Sequence, residues 1–336
     1  MRLEAFDYDL PVGAIAQHPV EPRDAARLLV DRGPSTPPRH HHVRDLPELL
    51  AAGDLLVVND SRVLPARLHL HRQSGGAVEV LLLEALDDAH RRWECLVRPA
   101  RRLARGEALV GPDGKPFLIV GTRSEAGDTF MVEMCGDDPI AAVQAFGEVP
   151  LPPYITAALD DPERYQTVYA DQPGSAAAPT AGLHLTVGLL DSLADAGVAT
   201  ARVELVVGLD TFQPVTEADP TRHRIHSERY RVPEETLAAC QRARRVVAVG
   251  TTAARALESA AATGHRAGRT RLFIHQPYEW QVVDLLLTNF HLPRTTLLMM
   301  IDAFIGPHWR DLYAVALDQG YRFLSFGDAM LLERAS

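Results

Sequence analysis

In the C-terminal half of the chain, apolar runs without polar interruption alternate with segments whose apolar positions recur every three or four residues. RVVAVG (245–250) reads as a strand buried on both faces, followed by a helix TTAARALESAA (251–261) with Thr251 or Thr252 as its N-cap. WQVVDLLLTNFHLP (280–293) reads as a second strand stopped by Pro293, with Thr295 or Thr296 capping LLMMIDAF. VGLLDSLADAG reads as a helix capped by Thr186 and stopped by Gly197, and ARVELVVG (201–208) as the strand after it. GDLLVVND (53–60) is a further buried strand, and YRFLSFGDAMLL the last one. Such alternation predicts a parallel sheet covered on both faces or closed into a barrel.

Between about 64 and 150 the pattern changes. AVEVLLLEAL, RRWECLVRPA, KPFLIVGTR and TFMVEMCG are short runs of β-branched and large apolar residues, separated by the turn signals QSGG, GPDG and CGDD. They predict a small all-β barrel inserted into the α/β domain, which resumes near GEVPLPPYI (147–155). The expected organisation is a discontinuous, barrel-like α/β catalytic domain at 1–63 and 150–336, with a β-barrel domain at 64–149. PSTPPRHHH (34–42) reads as a solvated loop: its neighbouring histidines diverge, and no carboxylate or cysteine completes a metal set.

In α/β folds the strand-to-helix turns gather at one end of the sheet, and that end carries the ligand. The polar residues expected there are Thr180 and His184, Asp210 and Thr211, Thr251, Thr252 and Arg255, Asn289 and His291, and Ser325 and Asp328. APTAGLHLT (178–186) reads as a close-approach loop in which Gly182 and the alanines admit a ligand near the backbone. Arg255 falls in the first helical turn if Thr252 is the cap. A cation there opposes the helix dipole, and an anionic ligand would reverse that penalty. The alternative is an arginine paired with a surface carboxylate or with Glu258. His184 and His291 are either satisfied structural histidines or proton-transfer groups. His223 and His226 have H-x-x-H spacing but no third ligand.

Composition narrows the field. The chain has 336 residues and a formal charge of −10, so it lacks the overall basicity of a protein that coats nucleic acid, although a local basic patch is enough for RNA. Such a patch is conceivable on the insert, where Arg98, Arg101, Arg102 and Arg105 sit in VRPARRLARGE; solvated loops are the other reading. With one lysine, Lys115, the arginine content reflects coding bias rather than phosphate binding. Cys95, Cys135 and Cys240 are scattered, as expected of a reducing cytoplasm, and no export signal or membrane-spanning run is evident. There is no P-loop, G-x-G-x-x-G, G-x-S-x-G elbow or zinc deaminase signature.

Taken together, FDYDLPVGAIAQHPVEPRDAARLLV, LLVVNDSRVLPARL, LVRPARRL, GEVPLPPYI, RYQTVYA, APTAGLHLT, VGTTAARALESAA, TNFHLPRTTLLMM and YRFLSFGDAMLL resemble the S-adenosylmethionine:tRNA ribosyltransferase-isomerase family of queuosine biosynthesis. The resemblance spans nearly the whole chain. It implies an α/β domain with an inserted β-barrel and S-adenosylmethionine as a ribosyl donor. The acceptor it implies is the aminomethyl group of a 7-deazaguanine in a tRNA anticodon, and the implied products are epoxyqueuosine-tRNA, adenine and methionine. It further implies no metal, no cofactor beyond that substrate, and a monomer in the cytoplasm. His184, His291 and Asp210 are then the catalytic candidates, and Arg255 suits the methionine carboxylate. Thr180, Gly182, Thr251, Thr252, Asn289, Ser325 and Asp328 are substrate-binding candidates, and Arg98, Arg101 and Arg102 would face RNA. The chain departs from the family's pattern at Val206, Asp210 and Gln213 in LVVGLDTFQPV, at HQPY (275–278), at Leu285, at Phe326 and at Ala253. These departures raise two alternatives: a paralogue with a non-tRNA acceptor, and a relative that only binds RNA or ligand.

Overall fold

A computed structural model describes the chain apart from residues 125–128, 209–214, 218, 224, 226 and 336 and the side chain of Arg102. It divides into two compact units, one formed by Met1–Ser61, Pro153–Gln172 and Pro179–Ser336, the other by Arg62–Pro152 and Pro173–Ala178.

The first unit is built on a nine-stranded sheet in the order Ala267–Thr270, Glu228–Arg231, Ala199–Leu205, Leu55–Asn59, Val246–Val249, Leu285–Asn289, Ala329–Glu333, Arg27–Asp31 and Arg39–His42. The four strands from Ala199–Leu205 to Leu285–Asn289 run parallel. Ala329–Glu333 runs against Leu285–Asn289 and along Arg27–Asp31, and the outer strands pair antiparallel. The sheet is therefore mixed, with a parallel centre. Register aligns Val58, Val249, Leu287, Leu331 and Val30 in one row across five strands. All five belong to a single buried cluster that also takes in Leu185, Leu189 and Leu193. The alternating residues Leu29, Val57, Ala248, Leu286 and Leu332 are buried too, so both faces are covered. Each such valine or leucine contributes roughly 1.5–3 kcal/mol of burial.

Helix Val187–Asp195 is capped by the Thr186 hydroxyl, which accepts from Leu189 N at 3.1 Å, and Gly197 ends the turn at φ 80°. Helix Thr296–Ile305 is capped by Thr295. Helix Gly250–Thr263 differs from expectation: it starts at Gly250, with φ +86° and no side-chain cap, so Thr251 and Thr252 lie inside its first turn. Its Glu258 is fully buried and gathers a whole loop, accepting from Gln281 N at 3.0 Å, Val282 N at 2.9 Å, Val283 N at 3.1 Å and the Tyr278 hydroxyl at 3.1 Å.

Two further stretches differ from the sequence reading. Arg39–His42 is an edge strand, not a loop, because it supplies the hydrogen bonds that Arg27–Asp31 needs on its outer side. Of YRFLSFGDAMLL only the last four residues are strand, the start of Ala329–Glu333; the residues before it turn back on themselves.

In the second unit six antiparallel strands close on themselves, in the order Arg67–Arg72, Ala77–Ala85, Arg92–Arg98, Phe130–Met134, Pro116–Arg123 and Ala108–Val110, the last pairing with the first. Trp93, Cys95 and Val97 are buried and alternate with the half-buried Glu94 and Leu96, and closure leaves this ring of described strands without an open edge. Among the described residues of the whole chain, no helix is long and apolar enough to cross a membrane.

Truncating Glu258 would strand three N–H groups at once, that of Val283 buried and those of Gln281 and Val282 partly so. Glu258→Ala is expected to cost about 3 kcal/mol or more of unfolding free energy, measured by denaturant titration. A loss under about 1 kcal/mol would show that the 278–283 loop is anchored elsewhere.

Candidate functional site

The register fixes which residues meet at one end of the central sheet. The parallel strands Leu55–Asn59, Val246–Val249 and Leu285–Asn289 all end there. Asn289 pairs with Ala329, so the antiparallel last strand begins where its neighbour finishes and delivers Ser325 and Asp328 to the same end. The turn Thr180–His184 also sits there, tied in through Asn289.

That tie is a short chain of hydrogen bonds. The Thr180 hydroxyl donates to Asn289 Oδ1 at 3.1 Å, and Asn289 Nδ2 donates to His184 Nε2 at 3.0 Å and to the Asp328 carbonyl at 3.4 Å. With Nε2 accepting, the neutral His184 ring carries its proton on Nδ1. Burial, helped by the charges of Arg322 and Arg23, pushes the His184 pKa down to about 4, so the ring is neutral near pH 7. Arg23 braces the turn by donating to the carbonyls of Gln166 at 2.7 Å, Leu183 at 3.3 Å and Glu163 at 2.9 Å.

The other sequence candidates divide. Gly182 does not clear space for a ligand: a Cβ there would lie 1.9 Å from the Tyr169 hydroxyl, so the close approach is made by the protein's own tyrosine. His291 is fixed in place by three contacts. Its Nε2 is 3.0 Å from the Thr288 hydroxyl, its N–H donates to the Tyr313 hydroxyl at 3.0 Å, and its carbonyl accepts from Tyr8. Burial alone pushes its pKa down to about 3. Asp328 is occupied by backbone, accepting from Arg27 N at 3.0 Å and Arg322 N at 2.8 Å, and the Ser325 hydroxyl lies 2.7 Å from that of Tyr154. Thr251 and Thr252 are buried in the first turn of their helix, and Thr252 Oγ1 has no hydrogen-bond partner among the described residues.

Arg255 lies in the second turn rather than the first, beyond the reach of the terminal dipole. It pairs with Glu228, not Glu258, and its Nε donates to the Leu272 carbonyl at 3.0 Å. Asp210, Thr211, Gln213 and His226 lie outside the described residues, as does the Arg102 side chain. In the second unit Arg98 ends a strand and Arg101 lies on a short turn, both exposed.

One group escaped the sequence reading. Asp60 follows the strand Leu55–Asn59 directly and is 8% exposed, with Arg202 3.9 Å away. Burial raises its pKa to about 6, with Glu204 and Asp171 adding to the rise and Arg202 opposing it. The signal was present: LLVVND ends in two polar residues after an apolar run. Asn59, its neighbour, is a clamp, donating to the Leu205 carbonyl at 3.0 Å and accepting from Leu205 N at 3.1 Å.

These shifts set an acid response. His184 and His291 are depressed from 6.5, so they favour folding above pH 6.5 and that advantage is lost as pH falls. Asp60 is raised from 3.8, so the folded chain takes up its proton first and opposes them. Between pH 6 and 4 the unfolded chain holds two imidazole protons against one carboxyl proton in the folded chain. Stability from these groups should fall by about 1.4 kcal/mol per pH unit, and by about 2.7 in Asp60→Asn. Denaturant melts across this range check the difference in slope, which a solvated Asp60 would not produce.

Comparison with known proteins places this geometry. The family model described as queuosine biosynthesis protein matches residues 3–332. A protein of Rubrobacter xylanophilus named S-adenosylmethionine:tRNA ribosyltransferase-isomerase is 49% identical over 99% of this chain and 98% of its own length. One of the same name from Symbiobacterium thermophilum is 50% identical over 99% of this chain and 100% of its own. The crystal structure of S-adenosylmethionine tRNA ribosyltransferase from Thermotoga maritima aligns with a TM-score of 0.56 at 37% identity, covering 97% of this chain and 99% of that one. The mixed sheet, the closed six-stranded barrel and near-half identity along the full chain together make this protein a member of the queuosine biosynthesis protein family.

Proposed function

We propose that the chain transfers the ribosyl group of S-adenosylmethionine to tRNA and isomerises it, the activity named for its relatives. The observation that carries this reading is that the match runs the length of both chains, and so takes in every polar strand end described above. The acceptor is the aminomethyl group of a 7-deazaguanine in the anticodon region, and the products are epoxyqueuosine-tRNA, adenine and methionine. The enzyme works as a cytoplasmic monomer with no metal and no cofactor beyond its substrate. The two alternatives, another acceptor or binding alone, lose weight because relatives near 50% identity carry the tRNA name.

The chemistry needs a base for the proton on the ribose carbon next to the sulfonium, which the positive sulfur acidifies, and a donor for the departing adenine. Asp60 supports the first role: a carboxylate with a pKa near 6 is ionised at neutral pH yet a better base than a solvated one. His184 supports the second, as a neutral Nδ1–H donor whose orientation is fixed by Asn289 and Thr180. The Thr252 hydroxyl, without a hydrogen-bond partner among the described residues, is suited to a sugar hydroxyl.

Adenine and methionine release, followed chromatographically with and without precursor tRNA, tests the reaction. Release that needs tRNA is expected. Release without it would favour another acceptor, and no release would leave a binding protein. Asp60→Asn should lower kcat by about 10²-fold or more with little change in KM for S-adenosylmethionine, and wild-type kcat should rise with pH through about 6. A pH profile flat across that range would remove Asp60 from proton transfer.

Arg98, Arg101 and Arg102 are the proposed phosphate contacts. Replacing them with glutamine should weaken tRNA binding and reduce its log–log salt slope by roughly 0.7–0.9 for each phosphate no longer neutralised, leaving S-adenosylmethionine affinity alone. An unchanged slope would take these arginines out of the RNA site.

A further inference from the structure

Asp60, the group suited to take the ribose proton, is docked beside a strand that carries two opposite charges. Its N–H donates to the Val203 carbonyl at 3.0 Å, and its own carbonyl accepts from Asp171 N at 2.9 Å and Gln172 N at 3.2 Å, so its backbone is fixed from both sides. The strand Ala199–Leu205 buries Val203 and Leu205 and turns Arg202 and Glu204 to its other face. Asp60 therefore meets this strand at the residue midway between them. Arg202 is half exposed and lies 3.9 Å from the carboxylate, the one ion pair that Asp60 makes among the described residues. That distance is too long for a hydrogen bond. Glu204 is 14% exposed and is held by Arg229, which donates to it at 2.9 Å. The remaining titratable neighbours come from the segment packed on the other side. They are Asp171 and the buried Tyr169, whose hydroxyl pKa is raised by burial and further by the charge of Asp60, with Thr167 and Arg202 opposing the rise.

A carboxylate that serves stability alone is met at hydrogen-bond distance. Asp54 is the example in this unit: Arg245 Nε donates to it at 3.0 Å and Ala51 N at 2.9 Å, and against the effect of burial these hold its carboxyl below the usual range. Asp60 is instead kept at a distance from its cation and beside a strand bearing a second carboxylate. The two charges serve different requirements of a base, which must be ionised at the working pH and must also hold a proton strongly enough to take it from carbon. Arg202 favours the ionised form, whereas Glu204 favours the protonated form and so strengthens the base. With Glu204 alone, Asp60 would carry a proton in more of the chains near neutral pH; with Arg202 alone, it would be ionised but weak. We propose that Arg202 and Glu204 are positioning residues that act through Asp60, their opposed charges setting the pH range in which it works as the base, with Arg229 holding Glu204 in place. The proposal rests on the ribosyl-transfer reading for the role of Asp60, while the opposed effects on its titration are measurable without turnover.

Four variants of the full chain test it: Glu204→Gln and Arg202→Gln, which remove one charge each, and Glu204→Asp and Arg202→Lys, which keep it. Two quantities are read for each. One is the titration midpoint of Asp60, followed by NMR of ¹³C-labelled aspartate carboxyls, with its signal identified by loss in Asp60→Asn. The other is the pH profile of kcat for adenine release at saturating S-adenosylmethionine and precursor tRNA. Glu204→Gln should lower the Asp60 midpoint by about half a pH unit and Arg202→Gln should raise it by about as much, the effect of one charge several ångströms away across a largely aqueous gap. The kcat profile should move with the midpoint, and the charge-keeping variants should restore the wild-type value of both. Midpoints that stay put, that move the same way in both neutral variants, or that shift as far in the charge-keeping variants overturn the proposal, because a merely structural role disturbs the site without regard to sign. Midpoints that separate as expected under an unmoved kcat profile remove Asp60 from proton transfer, and the proposed role of its two neighbours falls with it. Absence of adenine release from the wild type at every pH sinks the transfer reading itself, and the carboxyl titration then decides whether the opposed charges act on Asp60.

Discussion

Three adjacent parallel strands, Leu55–Asn59, Val246–Val249 and Leu285–Asn289, are buried along their whole length and have nowhere to place a charged group except at their ends. Much of the first unit follows from that constraint. The row from Val58 through Val249, Leu287 and Leu331 to Val30 admits no charge, so Asn59, Asp60, Asn289 and the first turn of helix Gly250–Thr263 carry the polar chemistry at one rim. Once at the rim, these groups are still shielded from water, and this is why their acid–base properties depart from those of free side chains. The same burial that depresses His184 and His291 raises Asp60, and it thereby separates a group suited to taking a proton from one suited to donating a hydrogen bond.

The architecture was legible because it is written in periodicity. Unbroken apolar runs gave the central strands, alternation gave the barrel strands, and Thr186, Thr295 and Gly197 marked helix ends by local chemistry that needs no tertiary partner. Strand direction was not legible. Nothing in AMLL says that it runs against LLLTN; that depends on which edge remains open when it arrives. The strand formed by RHHH was hidden for a related reason, since an exposed edge strand has little apolar pattern and is defined by its neighbour's unpaired backbone.

The site was legible as a set of residues more than as a set of roles. Thr180, His184 and Asn289 were picked out by their position at turns, and they do form one hydrogen-bonded chain. Sequence cannot distinguish a histidine facing a substrate from one wedged beneath two tyrosines, as His291 is, because both interrupt an apolar stretch in the same way. Nor could it read Gly182, whose missing side chain makes room for Tyr169, about a dozen residues earlier. Arg255 was misjudged by one helical turn and by its partner, since Glu228 lies 27 residues away in sequence and reaches it only through the sheet.

The position of the last strand has a consequence for how the molecule is made. Arg27–Asp31 sits in the sheet between Arg39–His42 and Ala329–Glu333, and its remaining connection to the parallel centre runs through that final strand. During synthesis from the N-terminus, the two earliest strands form a hairpin that must wait for some 300 residues to be added before it can join the sheet. Asp328, which ties the backbone of Arg27 to that of Arg322, comes equally late. The rim holding His184 and Asn289 is therefore completed by one of the longest-range contacts in the chain, so its assembly falls at the slow, non-local end of folding. A nascent chain still lacking its last strand would carry most of the polar rim groups without the frame that aligns them.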